Sequence, residues 1–307
     1  MNNFFKDFES YEGSVPPGVR LPEIIIEDRF YKKLDIDKST SNFDFLRALC
    51  RQGVKNLGID KLDNKQSYYD RAKSELDILE DLGFTDYILL NWDILNFCHE
   101  NDIPTGPGRG SAAGSLVLYL IGVTQIDPIK YDLFFERFVS KSRARKIKGD
   151  DGFTYLDGSL LADIDNDISY EKRQDVILYI EQKYPSRTAK ILTLNTLSGK
   201  LCIKECGKIV ANIPEQDMNI VSEYIPKNFG KVVPLDEAYL ESERFNNWVD
   251  ENKKVFLIAR KIEGLNKNTG VHPSGIAISF QEMSSICPLQ ATNDGSIVTG
   301  YDMNWVS

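Results

Sequence analysis

The chain has 307 residues, 42% of them hydrophobic and 27% charged, with a formal net charge of −9. That length and balance exclude a disordered or fibrous chain and leave room for two subdomains with real cores. Two histidines exclude a His-rich metal centre, and the acidic balance excludes a uniformly basic nucleic-acid binder while permitting local basic patches.

Residues 1–20 contain SVPPGV and read as an extended arm. LPEIIIEDRF, 21–30, reads as a short strand. Helical spacing runs over 42–56 and 66–82, where Leu76, Leu79 and Leu82 recur at three-residue steps and Gly83 marks the stop. A further amphipathic helix is predicted over 86–101, a small-residue helix over 111–122 and a short helix or turn over 131–140. The acidic alternation at 161–168 predicts a strand, 169–184 a helix starting near Ser169, 189–194 a strand, and 197–211 and 215–224 helices. Residues 234–262 are charged and helix-prone, and 270–301 read as strands with turns such as ATNDGS. No repeat or clean βαβ alternation is present. The five cysteines, at irregular spacing, read as reduced thiols. Cys202 and Cys206 share a helix face, but with no second pair nearby they read as packing. No apolar run spans a membrane and MNNFFKDFES has no signal layout, so a cytoplasmic place is expected and no membrane partner.

Two stretches carry chemistry. In GPGRGSAAGS, 106–115, three glycines allow close approach of a ligand to the backbone. Ser111 stands at a helix-cap position, where free N–H groups make a phosphate seat, and Arg109 offers a forked cationic contact. A tight packing turn and a dinucleotide fingerprint, GRGSAA, compete with a triphosphate-binding turn. The fingerprint needs a strand ahead of it, and HENDIPT is too polar and short. The triphosphate reading predicts carboxylates nearby. In ADIDNDI, 162–168, alternation puts Asp163, Asp165 and Asp167 on one face of a strand, roughly 6.6 Å per two-residue step. Carboxylates so placed hold divalent cations for phosphoryl transfer, and hard oxygen ligands suit magnesium. A solvated edge strand or a calcium loop is the competing reading, although the glycine and the glutamate of an EF-hand are absent.

Between and after these stretches lie Arg137, Lys141, Arg143, Arg145, Lys146 and Lys148, then Lys183, Arg187, Lys190, Lys200, Lys204 and Lys208, with Glu205 the only acid from 183 to 210. A charge run is commonly a solvated surface. Concentrated around an acidic strand, it also suits a polyphosphate and a nucleic-acid backbone.

Together the runs LGFTDYILLNWDILNF, IPTGPGRGSAAGSLVLYLIGVTQIDPIKYDLFFERF, ADIDNDISYEKRQDVI, ILTLNTLSGKLCIKECGKIV and GVHPSGIAIS resemble, in order and over roughly residues 66–302, the bacterial replicative DNA polymerase III alpha family (family C). The resemblance implies an α+β fold, with a polymerase-β-like nucleotidyltransferase palm and an inserted helical thumb. It divides the chain into an arm and helical segment, 1–65, a first palm part, 66–195, a thumb, 196–262, and a second palm part, 263–307. It implies a DNA-directed DNA polymerase that takes primer–template DNA and deoxynucleoside triphosphates with Mg²⁺. Asp163 and Asp165 match the first two metal-binding aspartates, and Asp167 matches a third acid of that motif. Gly110 and Ser111, helped by Arg109, match the triphosphate seat, Arg137 a palm arginine, and Lys200 and Lys204 basic positions at the palm–thumb junction.

Departures from the family accompany the match. Ala162 replaces a proline, Ile164 an aromatic residue, and the 140–161 loop is longer than usual. The family's metal-binding N-terminal domain has no counterpart here, and the 307 residues stop before the block that carries the last catalytic aspartate. The expectation is therefore part of a split polymerase, of bacterial or phage type and inactive alone. It would be completed by a second polypeptide that brings the fingers and that aspartate and docks near residues 270–307, with Trp305 as a contact. The other reading is an inactive palm-derived protein that binds DNA or a polymerase partner. His272 reads as a structural turn residue.

Overall fold

The computed structural model describes residues 18–139, 146–149, 154–156, 163–292 and 295–303. Most of the N-terminal arm, Lys141, Arg143, Arg145, Ala162 and Trp305 lie outside the described residues. The fold is α+β, and its residues divide into two units.

The first unit takes residues 1–189 and 276–289. LPEIIIEDRF forms no strand. Ile24 is buried and Ile25 exposed, so the alternation survives, but the inward residues pack on helices and Pro22 lacks an amide to donate. The segment's end instead opens helix α1 (Asp28–Leu34), which periodicity did not reveal. Helix α2 (Asn42–Asn56) starts at Ser41, whose hydroxyl accepts from the Asp44 amide at 3.1 Å. Helix α3 (Lys65–Leu82) ends on Gly83 and helix α4 (Thr85–Glu100) follows at once. Apolar faces at helical spacing meet in one core, where Phe45, Leu46, Leu79, Ile88 and Leu89 are fully buried and Trp92 meets Phe30 edge-on at 4.9 Å.

The predicted helix over 111–122 is two pieces: a 3-10 turn, Gly110–Gly114, and α5 (Leu116–Leu120). Ser115 lies between them in extended conformation, and it, not Ser111, caps the helix, accepting from the Leu118 amide at 3.3 Å. A 3-10 turn follows at Phe135–Arg137. Strands β1 (Lys146–Lys148) and β2 (Thr154–Leu156) pair antiparallel inside the long loop. Among the described residues, 163–167 join no ladder, and Ile168 makes a single antiparallel bridge to Thr105. The predicted strand therefore has a loop as its partner instead of another strand. A 3-10 turn, Tyr170–Lys172, then leads into α6 (Arg173–Lys183).

The second unit takes residues 190–275 and 290–306. It holds most of β3 (Thr188–Thr196) and the helices α7 (Gly199–Ala211) and α8 (Glu215–Glu223). After a two-residue strand pair, β4 (Lys227–Asn228) and β5 (Lys231–Val232), the helix-prone stretch breaks into α9 (Leu235–Glu241), α10 (Glu243–Glu251) and α11 (Lys253–Ile262). Ser242 sets one break by leaving helical geometry and accepting from the Phe245 amide at 3.3 Å. These helices share a core of Cys202, Ile203, Cys206, Met218, Leu235, Phe245 and Ala259, so the two cysteines are packing residues. Strands β6 (Asn266–Ile278), β7 (Leu289–Ala291) and β8 (Ile297–Asp302) complete a four-stranded sheet of order β6-β3-β8-β7, with β3 and β8 parallel. His272, expected in a turn, lies inside β6 instead, where its Nδ1 accepts from the Gly275 amide at 2.6 Å. Among the described residues no helix is long and apolar enough to cross a membrane.

Candidate functional site

The glycine stretch and the acidic stretch meet in the first unit. The Gly106 amide donates to the Asp167 carbonyl at 2.9 Å and the Ser169 amide to the Pro104 carbonyl at 3.0 Å. A side chain at 106 is excluded by this approach, since a Cβ there would stand 2.8 Å from the Asp167 Cβ. Gly110 has φ +67° and turns the backbone toward the acids, where an added Cβ would stand 3.3 Å from Asp165 Oδ2. No strand precedes Gly106, so the dinucleotide arrangement is not formed.

The acids keep their alternation without a sheet. Asp163, Asp165 and Asp167 are exposed, whereas Ile164 and Ile168 pack on the core. Side chains of helix α4 hold the segment instead. Tyr87 Oη accepts from the Ile164 amide at 3.3 Å, and Asn91 Oδ1 accepts from Asn166 Nδ2 at 2.7 Å. Asn91 Nδ2 in turn donates to the Tyr87 carbonyl at 2.9 Å. Burial pushes the Tyr87 hydroxyl up, and the charges of Asp163 and Asp165 add to that rise.

Arg109 binds the carboxylates. Its Nη2 stands 3.5 Å from Asp165 Oδ1 and its Nε 3.3 Å from Asp167 Oδ1, with the guanidinium side chain 62% exposed. Exposed pairs of this kind contribute at most about 1 kcal/mol each, so a ligand displaces them readily. The turn Gly110–Gly114 packs against the turn that carries Arg137, because a Cβ on Gly114 would stand 2.5 Å from the Phe134 carbonyl oxygen. Arg137 is exposed and Ser111 half-buried. Thus Arg109, Gly110, Ser111, Asp165 and Asp167 share one edge of the unit, with Asp163 next along the chain. Lys200 and Lys204 belong to the second unit, on α7, where Lys200 Nζ stands 3.3 Å from Glu223 Oε2.

The N-terminus of α5 is already filled. The Leu116 and Val117 amides donate to the buried Glu75 carboxylate, each at 3.1 Å, so any phosphate seat lies in the Gly110–Ser111 turn ahead of it. Part of the basic stretch is structural too. Lys183 donates to Asp93 at 2.5 Å and to Tyr179 at 3.1 Å, with both members of the ion pair nearly fully buried. Arg187 Nε donates to the Ser279 carbonyl at 2.9 Å.

Among the described residues no group of three or more His, Cys, Asp or Glu side chains gathers around one point. Two neighbouring carboxylates are nonetheless a fitting set for magnesium, which takes one or two protein oxygens and fills its octahedron with water and phosphate oxygens. The cationic guanidinium lying across Asp165 and Asp167 marks the same edge as one that attracts positive charge.

A family model for the bacterial DNA polymerase III alpha NTPase domain matches residues 44–307. The DNA polymerase III subunit alpha of Halalkalibacterium halodurans is 38% identical over 262 residues, 84% of this chain and 22% of the relative. That of Bacillus subtilis is 35% identical over 269 residues, 86% of this chain and 22% of the relative. That of Chlamydia trachomatis is 33% identical over 300 residues, 93% of this chain and 23% of the relative. The chain therefore spans about a fifth of the length of the curated relatives it matches.

Proposed function

The chain belongs to the family of the bacterial DNA polymerase III alpha NTPase domain, and from that premise we propose that it supplies the palm and thumb of a DNA-directed DNA polymerase, adding deoxynucleotides to a primer by two-metal phosphoryl transfer. The observation that carries this reading is the meeting of Arg109 and Gly110 with Asp165 and Asp167 at one exposed edge. A metal-bound triphosphate needs a phosphate-binding turn and a carboxylate face in one place.

Asp163 and Asp165 hold the cations in this scheme, and Asp167 is a further oxygen donor. Mg²⁺, when bound, neutralises the triphosphate and activates the primer hydroxyl. The Gly110 and Ser111 amides receive phosphate oxygens, and Arg109 exchanges its carboxylate partners for the triphosphate. Arg137 adds charge from the adjoining turn. The helices α7 to α11, with their own core, act as the thumb on primer–template DNA, and Lys200 and Lys204 meet phosphates there. Residues 66–195 and 263–307 form the palm, and the place of action is the cytoplasm of a bacterial or phage-infected cell. The fingers and the remaining carboxylate of this scheme lie outside these 307 residues. The exposed Ile297, Tyr301 and Met303 support a docking role for the C-terminal segment.

The test is primer extension by the chain in its native assembly, unsubstituted and as Asp163→Asn. A loss of at least about 100-fold with unchanged melting supports the reading, because the substitution removes a charge and little volume. Undiminished extension sinks it. Extension by these 307 residues alone removes the need for anything that completes them. The other reading, a DNA-binding palm without chemistry, is favoured by the guanidinium lying across the carboxylates. It requires DNA binding with no extension in any assembly.

A further inference from the structure

The turn carrying Gly110 and Ser111 is held from beneath by two side chains of α3 that stand one helical turn apart. Glu75 is fully buried, and its two oxygens receive four donors. Oε1 accepts from Arg71 Nε at 2.6 Å and from the Leu116 amide at 3.1 Å. Oε2 accepts from Ser115 Oγ at 2.9 Å and from the Val117 amide at 3.1 Å. Arg71 turns its Nη2 the other way, donating to the Gly114 carbonyl at 3.0 Å and to the Leu133 carbonyl at 3.2 Å. The pair thus joins three separate stretches: α3, the residues that close the Gly110–Gly114 turn, and the approach to the Arg137 turn. Burial pushes the Glu75 carboxyl up, and the backbone amides and Arg71 pull against that rise. Only an ionised carboxylate has acceptors for all four donors. Tying α3 to its neighbours would need one such bond, whereas this set determines the distance between two loops.

We propose that Arg71 and Glu75 are positioning residues for the nucleotide seat, setting where the Gly110–Ser111 amides stand relative to Arg137. This rests on the nucleotide reading above. Glu75→Gln keeps the volume but turns an amide group toward a donor. Arg71→Lys keeps the charge beside Glu75 but loses the planar fork that spans two carbonyls.

The experiment measures binding of Mg²⁺-dATP to the full chain, unsubstituted and as Glu75→Gln, Arg71→Lys and, as a control, the core substitution Val54→Ala on α2. Thermal unfolding is followed on the same samples, and binding is read well below every midpoint. Both substitutions at the pair are expected to weaken dATP about 10-fold or more, while Val54→Ala lowers the midpoint and leaves affinity unchanged. If Glu75→Gln does not fold, Arg71→Lys carries the test. Equal affinities in all folded variants, or a loss shared by Val54→Ala, overturn the positioning role alone. No dATP binding by the unsubstituted chain overturns the nucleotide reading beneath it.

Discussion

Two ion-pair clusters of the first unit use the same chemistry to opposite ends. Lys183 and Asp93 join α6 to α4 with both side chains nearly fully buried, and Tyr179 donates to the same carboxylate at 2.9 Å. Arg109 meets Asp165 and Asp167 in the open, at 3.5 and 3.3 Å. Removing one partner of the first pair strands a charge away from water. Removing one partner of the second leaves the other hydrated. The buried cluster is therefore fixed in its partners, whereas the exposed one is free to trade them for a ligand.

The contrast breaks most visibly at Asp93. Asp93→Ala leaves the Lys183 ammonium buried and unpaired, and should cost about 3–5 kcal/mol in urea unfolding. A cost under 1 kcal/mol would show that water reaches the pair. Next in size is Asn91→Ala, which removes the contact that holds Asn166 and with it the inward side of the acidic segment. About 1–2 kcal/mol is expected, together with weaker Mn²⁺ binding by paramagnetic titration. Arg109→Ala should change stability by less than about 1 kcal/mol while clearly weakening dATP. A large loss of stability there would make the exposed cluster structural and erase the contrast.

The smallest effect is a pH dependence. Burial, opposed by Lys183, holds the Asp93 carboxyl above its usual value. A carboxyl raised on folding contributes stability that is fully present below the unfolded-state value of about 4 and is lost as pH climbs through the folded-state value. The difference in melting temperature between the wild type and Asp93→Asn should therefore shrink as pH rises through that window. A difference that grows with pH would reverse the assigned direction.

Local physics was legible in the residues themselves. Apolar spacing marked α2, α3 and α4 to within a residue at each end, and Gly83 marked a stop. Alternation placed Asp163, Asp165 and Asp167 on one exposed face even though no strand forms. Both signals are periodic and depend on near neighbours alone. The cap at Ser115 was missed because its position follows from Glu75, 40 residues earlier. Lys183 looked like one more surface cation because a charge reads alike in sequence whether water or Asp93, 90 residues away, surrounds it. Only the tertiary structure decides which charges are desolvated, since desolvation depends on what packs above a side chain and not on what precedes it. For the same reason the juxtaposition of Arg109 with Asp167, 58 residues on, is a fact of the fold, while the glycine-rich stretch and the acidic alternation are facts of the sequence.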